Sequence, residues 1–262
     1  MMAKSALFAA VVLLSGAVHA STTNIFLLVG QSNMAGRGAL SGSVPVSAER
    51  IVVFDAEGKA SPAKEPLHHD NKKTAGAGLA MSFARAYADE HPGVTVALMP
   101  CAVGGSSIGS WKPGSGKNYL AMAKAVEAVR GKGDFVGILW HQGESDSGSK
   151  KAASAYAGKL KALIEALRRD VADVPVVIGE LGRYLDTCVT KPKDGSAPKP
   201  RFPFWKDVNR ATHEVAGGFD RCRCVSSEGL EPKGDRLHFN TPSLRTLGLR
   251  YYEAWKECSA GK

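Results

Sequence analysis

The chain has 262 residues, of which 44% are hydrophobic and 23% charged, and a formal net charge of +9. This balance excludes a disordered or collagen-like polypeptide, and one α/β domain accommodates the length. The basic residues are scattered, with no arginine-rich run and no aromatics alternating with them, which argues for a solvated basic face and against a nucleic-acid-binding surface.

Lys4 precedes the apolar run ALFAAVVLL and then small residues ending in Val18-His19-Ala20. The pattern predicts an export signal over residues 1–20, cut after Ala20, and hence a periplasmic or secreted protein. The run is shorter than the ~20 residues that span a bilayer, so no membrane attachment is expected after cleavage. Residues 21–262 are expected to form a single domain, with no repeat or linker to divide it. Apolar runs predict strands at 24–29, 51–54, 94–99, 135–140, 175–180 and 222–225, several of them continuously hydrophobic as buried parallel strands are. Helical stripes lie between them. The clearest runs through Tyr156, Leu160, Leu163, Ile164, Leu167 and Val171, with others at Met122, Val126, Val129 and at Leu244, Leu247, Tyr251, Trp255. Thr241-Pro242 supplies a cap and first-turn proline for the last helix. The alternation predicts a three-layer α/β/α sandwich around a mostly parallel, flavodoxin-like sheet. Segments 55–77 and 182–203, rich in Lys and Pro, read as loops, the first placed to wall a site.

Five cysteines are present, and an exported chain is free to oxidise them. The expectation is one or two bridges among Cys188, Cys222, Cys224 and Cys258, with Cys101 buried after its strand.

In IFLLVGQSNMAG, Ser32 follows an apolar strand, at the sheet edge where open α/β folds place their sites. It reads either as the N-cap of the next helix or as a nucleophile, and a nucleophile needs a base, an acid to orient it and donors for an oxyanion. Asp235-Arg236-Leu237-His238 offers acid and base in one loop. Gly105, in VGGSSIGSW, lets a backbone N–H approach a ligand closely. In WHQGESD, Gln142 is a candidate side-chain oxyanion donor, and Glu144 either contacts the base or braces the site. Gln31, Asn33, Arg37 and Trp111 are candidate substrate contacts, and Trp140 and the stretch 201–205 are further aromatic candidates. His68-His69-Asp70 lacks a third well-spaced ligand, so no metal is expected.

GQSNMAG, GGSSIGSW, WHQGESD and D-x-x-H, in this order, resemble the SGNH-type hydrolases, specifically the branch holding carbohydrate esterase family 6 and the sialate O-acetylesterase-like domains. The resemblance runs from about Asn24 to Trp255. It implies Ser32 as nucleophile, His238 as base and Asp235 as its partner, with Glu144 a competing acid. It also implies an oxyanion hole of the Ser32 and Gly105 N–H groups and the Gln142 side chain. The implied activity is acyl-enzyme removal of O-acetyl groups from an acetylated carbohydrate, xylan- or sialate-type, without a cofactor. Two alternatives remain, an inactive carbohydrate-binding protein on the same fold and a broader short-chain lipase or thioesterase. An α/β-hydrolase is disfavoured, because Met34 stands where G-x-S-x-G needs its second glycine.

Overall fold

The computed structural model describes residues 22–40 and 49–260, and the export signal expected at 1–20 lies outside the described residues. The strands are β1 (Thr23–Gly30), β2 (Ile51–Phe54), β3 (Ala60–Pro62), β4 (Thr95–Pro100), β5 (Asp134–His141), β6 (Val176–Gly179), β7 (Val189–Thr190), β8 (Lys199–Pro200) and β9 (Cys222–Val225). The helices are α1 (Ser32–Ala35), α2 (Ala80–Glu90), α3 (Lys117–Ala128), α4 (Lys150–Ser154), α5 (Tyr156–Asp170), α6 (Trp205–Gly217) and α7 (Thr241–Ala260). One sheet runs β3-β2-β4-β1-β5-β6-β9, parallel except for β3, and β7 and β8 form a separate antiparallel ribbon. All six strands expected from the apolar runs are present. Without the β2–β3 hairpin at one edge, the remaining strands follow the flavodoxin order 2-1-3-4-5.

Both faces of β1 are covered, which is why its sequence is continuously apolar. Ile25, Leu27 and Val29 pack into the layer holding α3, α5 and α6, and Phe26 and Leu28 into the layer of α2 and α7. Phe26 is edge-on to Phe83 at 4.7 Å, Tyr87 at 4.9 Å and Trp255 at 5.6 Å, which locks α2 and α7 onto the central strand. The α5 stripe of Tyr156, Leu160, Leu163, Ile164 and Leu167 is buried as its spacing predicts. At α7 the cap is one residue earlier than expected. Asn240 Oδ1 accepts from the Ser243 N–H at 2.9 Å, whereas the Thr241 hydroxyl donates outward to Ala39 O. Among the described residues no helix is long and apolar enough to cross a membrane.

The expected disulfides are corrected: all five cysteines are free. Cys222 and Cys224 lie on β9, Cys258 on α7, and Cys188 in a loop where its thiol faces Asp235 O at 4.0 Å. Burial pushes the Cys101 and Cys222 thiols up to about 12, so both are protonated and unreactive.

Glu180, just past β6, is the main polar anchor of this side of the sheet. Its carboxylate accepts from the Ser227 N–H at 2.8 Å, meets His213 Nε2 at 2.6 Å and pairs with Arg183 at 3.2 Å. Burial opposes its charge, but Arg183, His213 and the Ser227 N–H outweigh burial and hold the carboxyl at about 2. A depressed folded-state pKa stabilises the fold above the unfolded value and loses that contribution as pH falls through about 2. Glu180→Gln is therefore expected to lower unfolding free energy by about 3 kcal/mol at neutral pH. Urea melts of both proteins should differ at pH 7 and converge toward pH 2; coincident melts at pH 7 would remove this role.

Candidate active site

Three neighbouring strands deliver their following loops to one place. In register, Gly30 lies opposite His141 on β5 and Leu28 opposite Pro100 on β4, so the chain leaves β1, β4 and β5 at nearly the same level. Gly30 O then accepts from the Val103 N–H at 3.0 Å and the Ser106 hydroxyl at 3.3 Å, which ties the β4 loop to the β1 end. Gly30 itself has φ +129°, and a Cβ there would lie 2.1 Å from His141 O. Only glycine fits where the chain turns toward Ser32.

The long loop after β9 carries the complementary groups across the sheet edge. Asp235 Oδ1 accepts from the Leu237 and His238 N–H groups at 3.0 and 2.9 Å, a turn completed by Arg236 at φ +54°. Asp235 Oδ2 lies 2.7 Å from His238 Nδ1, and His238 Nε2 lies 3.0 Å from Ser32 Oγ. An ionised carboxylate only accepts, so the ring carries its proton on Nδ1 and the Ser32 hydroxyl donates to Nε2. Burial, the ring and the two N–H groups act together on Asp235: burial opposes its charge, yet the hydrogen bonds prevail and hold the carboxyl below its ordinary value. Burial lowers the His238 pKa and outweighs the raising effect of Asp235, with smaller help from the charges of Lys233 and Arg37. The imidazole is consequently neutral at pH 7 and able to take a proton.

Asn33 brackets this histidine. Its Oδ1 accepts from the Phe239 N–H at 3.2 Å and its Nδ2 faces Leu237 O at 3.5 Å, so both neighbours of His238 are held by one side chain. Glu144 Oε1 accepts from the same Nδ2 at 2.5 Å and fixes which way the amide points. Burial pushes the Glu144 carboxyl up to about 7, against the hydrogen bond from Asn33. Of the two roles open to Glu144, the geometry shows the brace: its contact is Asn33, not the imidazole.

These groups face a cleft of about 530 Å³ lined by Ser32, His238, Gly104, Gly105, Arg201 and Phe202, with Asp70, Asn71 and Thr74 on one wall. The 55–77 loop does wall the site. Gly105, at φ +68°, leaves its N–H without an acceptor among the described residues, as does the N–H of Ser32. Gln31, Arg37 and Glu144 also line the cleft. Arg37 is held by Asp70 at 2.6 Å and by Gly36 O at 2.8 Å, and Asp70 in turn accepts from the Gly104 N–H at 2.6 Å. This clamp pins the β4 loop against the wall. Nothing in the sequence paired Arg37 with Asp70, which are 33 positions apart.

Three expected roles are corrected. The Gln142 amide nitrogen turns inward to Gln31 Oε1 at 3.0 Å, Ser106 O at 3.0 Å and Asp146 Oδ2 at 2.7 Å, so it staples three loops and has no donor left for an oxyanion. Trp111 is fully buried, edge-on to Trp140 at 5.5 Å with its N–H on Ser106 Oγ, and touches core instead of substrate. Asn33 is spent on the histidine loop, not on a substrate contact. Trp140 and Trp205 are buried in the same core, whereas Phe202 reaches the cleft. His68 is buried and held down to about 3 mainly by that burial. Among the described residues no group of His, Cys, Asp or Glu side chains is arranged to hold a metal ion.

A parallel α/β/α sandwich with serine, histidine and aspartate converging at the C-terminal edge of its strands has the architecture of the SGNH-type hydrolases. The family profile described as carbohydrate esterase, sialic acid-specific acetylesterase matches residues 22–257, and the chain belongs to that family; it is a carboxylic ester hydrolase. A protein of Arabidopsis thaliana named "probable carbohydrate esterase" is 30% identical over 256 residues, 88% of this chain and 89% of its own length. An Arabidopsis thaliana crystal structure superposes with a TM-score of 0.76 at 28% identity, over 90% of this chain and 98% of the other. A carbohydrate acetylesterase from Xanthomonas citri shares the fold at 17% identity and TM-score 0.66, over 91% of this chain and 57% of the other.

Proposed function

We propose that the protein is a serine esterase that removes O-acetyl groups from carbohydrates through an acyl-enzyme. The observation that carries this reading is the chain of contacts from Asp235 Oδ2 to His238 Nδ1 at 2.7 Å and from His238 Nε2 to Ser32 Oγ at 3.0 Å, on the floor of an open cleft. His238 takes the Ser32 proton as Oγ attacks the ester carbonyl, and Asp235 holds the ring in the accepting tautomer and stabilises the imidazolium. The free N–H groups of Ser32 and Gly105 receive the oxyanion. His238 then protonates the departing sugar hydroxyl, and water, activated by the same imidazole, releases acetate and restores Ser32.

The cleft is lined by glycines, polar residues and charged residues, with Val103, Phe202 and Leu237 as its apolar members. That surface suits an acetyl group on a sugar and offers no apolar groove for a long acyl chain. The family and the acetylesterase relatives support the carbohydrate substrate, xylan- or sialate-type. The leader pattern at 1–20 supports export of a single catalytic domain, which would meet such glycans outside the cytoplasm. The test is acetate release from acetylated xylan and acetylated sialic acid, alongside p-nitrophenyl esters of rising chain length. Turnover is expected to be highest with acetate and to fall at least tenfold by octanoate. Preference for octanoate, or no acetate release from any glycan, would overturn the assignment.

A further inference from the structure

Both sides of the cleft carry cations that no carboxylate among the described residues pairs with. Arg201 lines the cleft with its guanidinium carbon over the Phe202 ring, 5.1 Å from the centroid, which favours a position at the cleft wall. Its backbone N–H donates to Cys188 O at 2.8 Å, and Cys188 in turn faces Asp235 O, so the root of the β7–β8 ribbon is fastened directly beside the histidine loop. The ribbon and its turn expose Lys191, Lys193 and Lys199. Across the cleft, Lys72 and Lys73 are exposed between Asp70 and Thr74 on the opposite wall.

Among the described residues, none of these six cations has a carboxylate within ion-pairing distance. The acids of the cleft and of the histidine loop are already engaged, whereas Asp186, at the root of the ribbon, is exposed and pairs with none of the six. Asp70 is taken by Arg37 and the Gly104 N–H, and Asp235 by His238 and its own turn. Glu144 is bound to Asn33 and, pushed up to about 7, carries only part of its charge. Asp194, the one acid in the ribbon, is bonded locally to the Ser196 N–H and keeps its charge, against three lysines. With Asp70 paired to Arg37, the unpaired cations on either side give the mouth of the cleft a positive field, and the net charge of +9 adds to it at longer range.

Resting on the esterase reading above, we infer that this track binds an acidic polysaccharide, with Arg201 seating the carboxylate of the sugar next to the acetylated residue and the lysines following the chain beyond the cleft. A guanidinium presents paired N–H donors that match a carboxylate, whereas lysines act as point charges and tolerate a chain in several registers. The division of labour fits one fixed contact near the reacting ester and looser ones farther out. A nucleic acid fits less well, because among the described residues no row of exposed aromatics accompanies the lysines to stack on bases.

The inference is tested by calorimetric titration of full-length Ser32→Ala protein, which binds without turnover. An oligogalacturonate is compared with the same oligomer converted to its carboxamide. The acid is expected to bind at least tenfold tighter, to weaken as salt rises from about 0.02 to about 0.5 M, and to lose about tenfold on Arg201→Met, less on Arg201→Lys. Equal affinity for acid and carboxamide, absence of binding, or indifference to Arg201→Met would overturn it. So would an oligonucleotide of matching charge that binds as tightly and responds equally to Arg201→Met. Because binding is read apart from hydrolysis, failure of wild-type protein to release acetate would count against the esterase reading and not against this track.

Discussion

Ser32→Ala is expected to reduce kcat on p-nitrophenyl acetate by about 10⁴- to 10⁶-fold while leaving the thermal melt close to that of wild type. The size follows from what the hydroxyl does: without Oγ no acyl-enzyme forms, and His238 has nothing to activate except water held in a cleft shaped for an ester. What remains should come from the Ser32 and Gly105 N–H groups, which the substitution leaves in place. The fold should tolerate the change, since Ser32 Oγ bonds His238 and, among the described residues, makes no other hydrogen bond. A fluorophosphonate should label the wild-type chain once, on the peptide containing Ser32. Turnover within tenfold of wild type, or label on another residue, would mean that the nucleophile lies elsewhere.

The fold was legible because its signals are local and repeated. Apolar runs such as IFLLV mark strands covered on both faces, and the 3.6-residue stripe of α5 marks its buried side. The strands that escaped are those with too few residues to show a period: β3, three exposed residues including a proline, and the two-residue strands β7 and β8; among the helices, α2 and α6 are expected only from the alternation and not from a named stripe. Site residues divide the same way. Ser32, Asp235 and His238 sit at strand or loop positions whose chemistry can be read from their neighbours. Gln142 and Trp111 lie in equally distinctive motifs, but a motif does not reveal which way a side chain turns. Three acceptors converging from the β1, β4 and β5 loops decide the first, and the ring of Trp140 decides the second. Arg37 and Asp70, or Asn33 and the backbone around His238, meet only after the sheet has been assembled, so no window of sequence contains both partners.

The division between Asp235 and Glu144 leads to the other large effect. Asp235→Asn is expected to lower kcat/KM by about 10⁴-fold, because Oδ1 must still accept the Leu237 and His238 N–H groups, which leaves an NH₂ facing Nδ1. That NH₂ can only donate. The imidazole is then driven to carry its proton on Nε2, where it cannot accept one from Ser32. Glu144→Gln keeps an oxygen for Asn33 Nδ2 and is expected to cost less than about tenfold, since the brace survives the loss of charge. The pH profiles separate the two roles further. In wild type, kcat/KM should fall on the acid side below the ordinary histidine value of 6.5, because burial keeps the His238 pKa under it. Asp235 raises that pKa, so its removal should move the acid limb to still lower pH in whatever activity remains. Glu144 contacts Asn33 and not the imidazole, so its substitution should leave the limb in place. If instead Glu144→Gln produced the larger loss and displaced the limb, the acid acting on the imidazole would be Glu144, reached through a rearrangement of the Asn33 bracket.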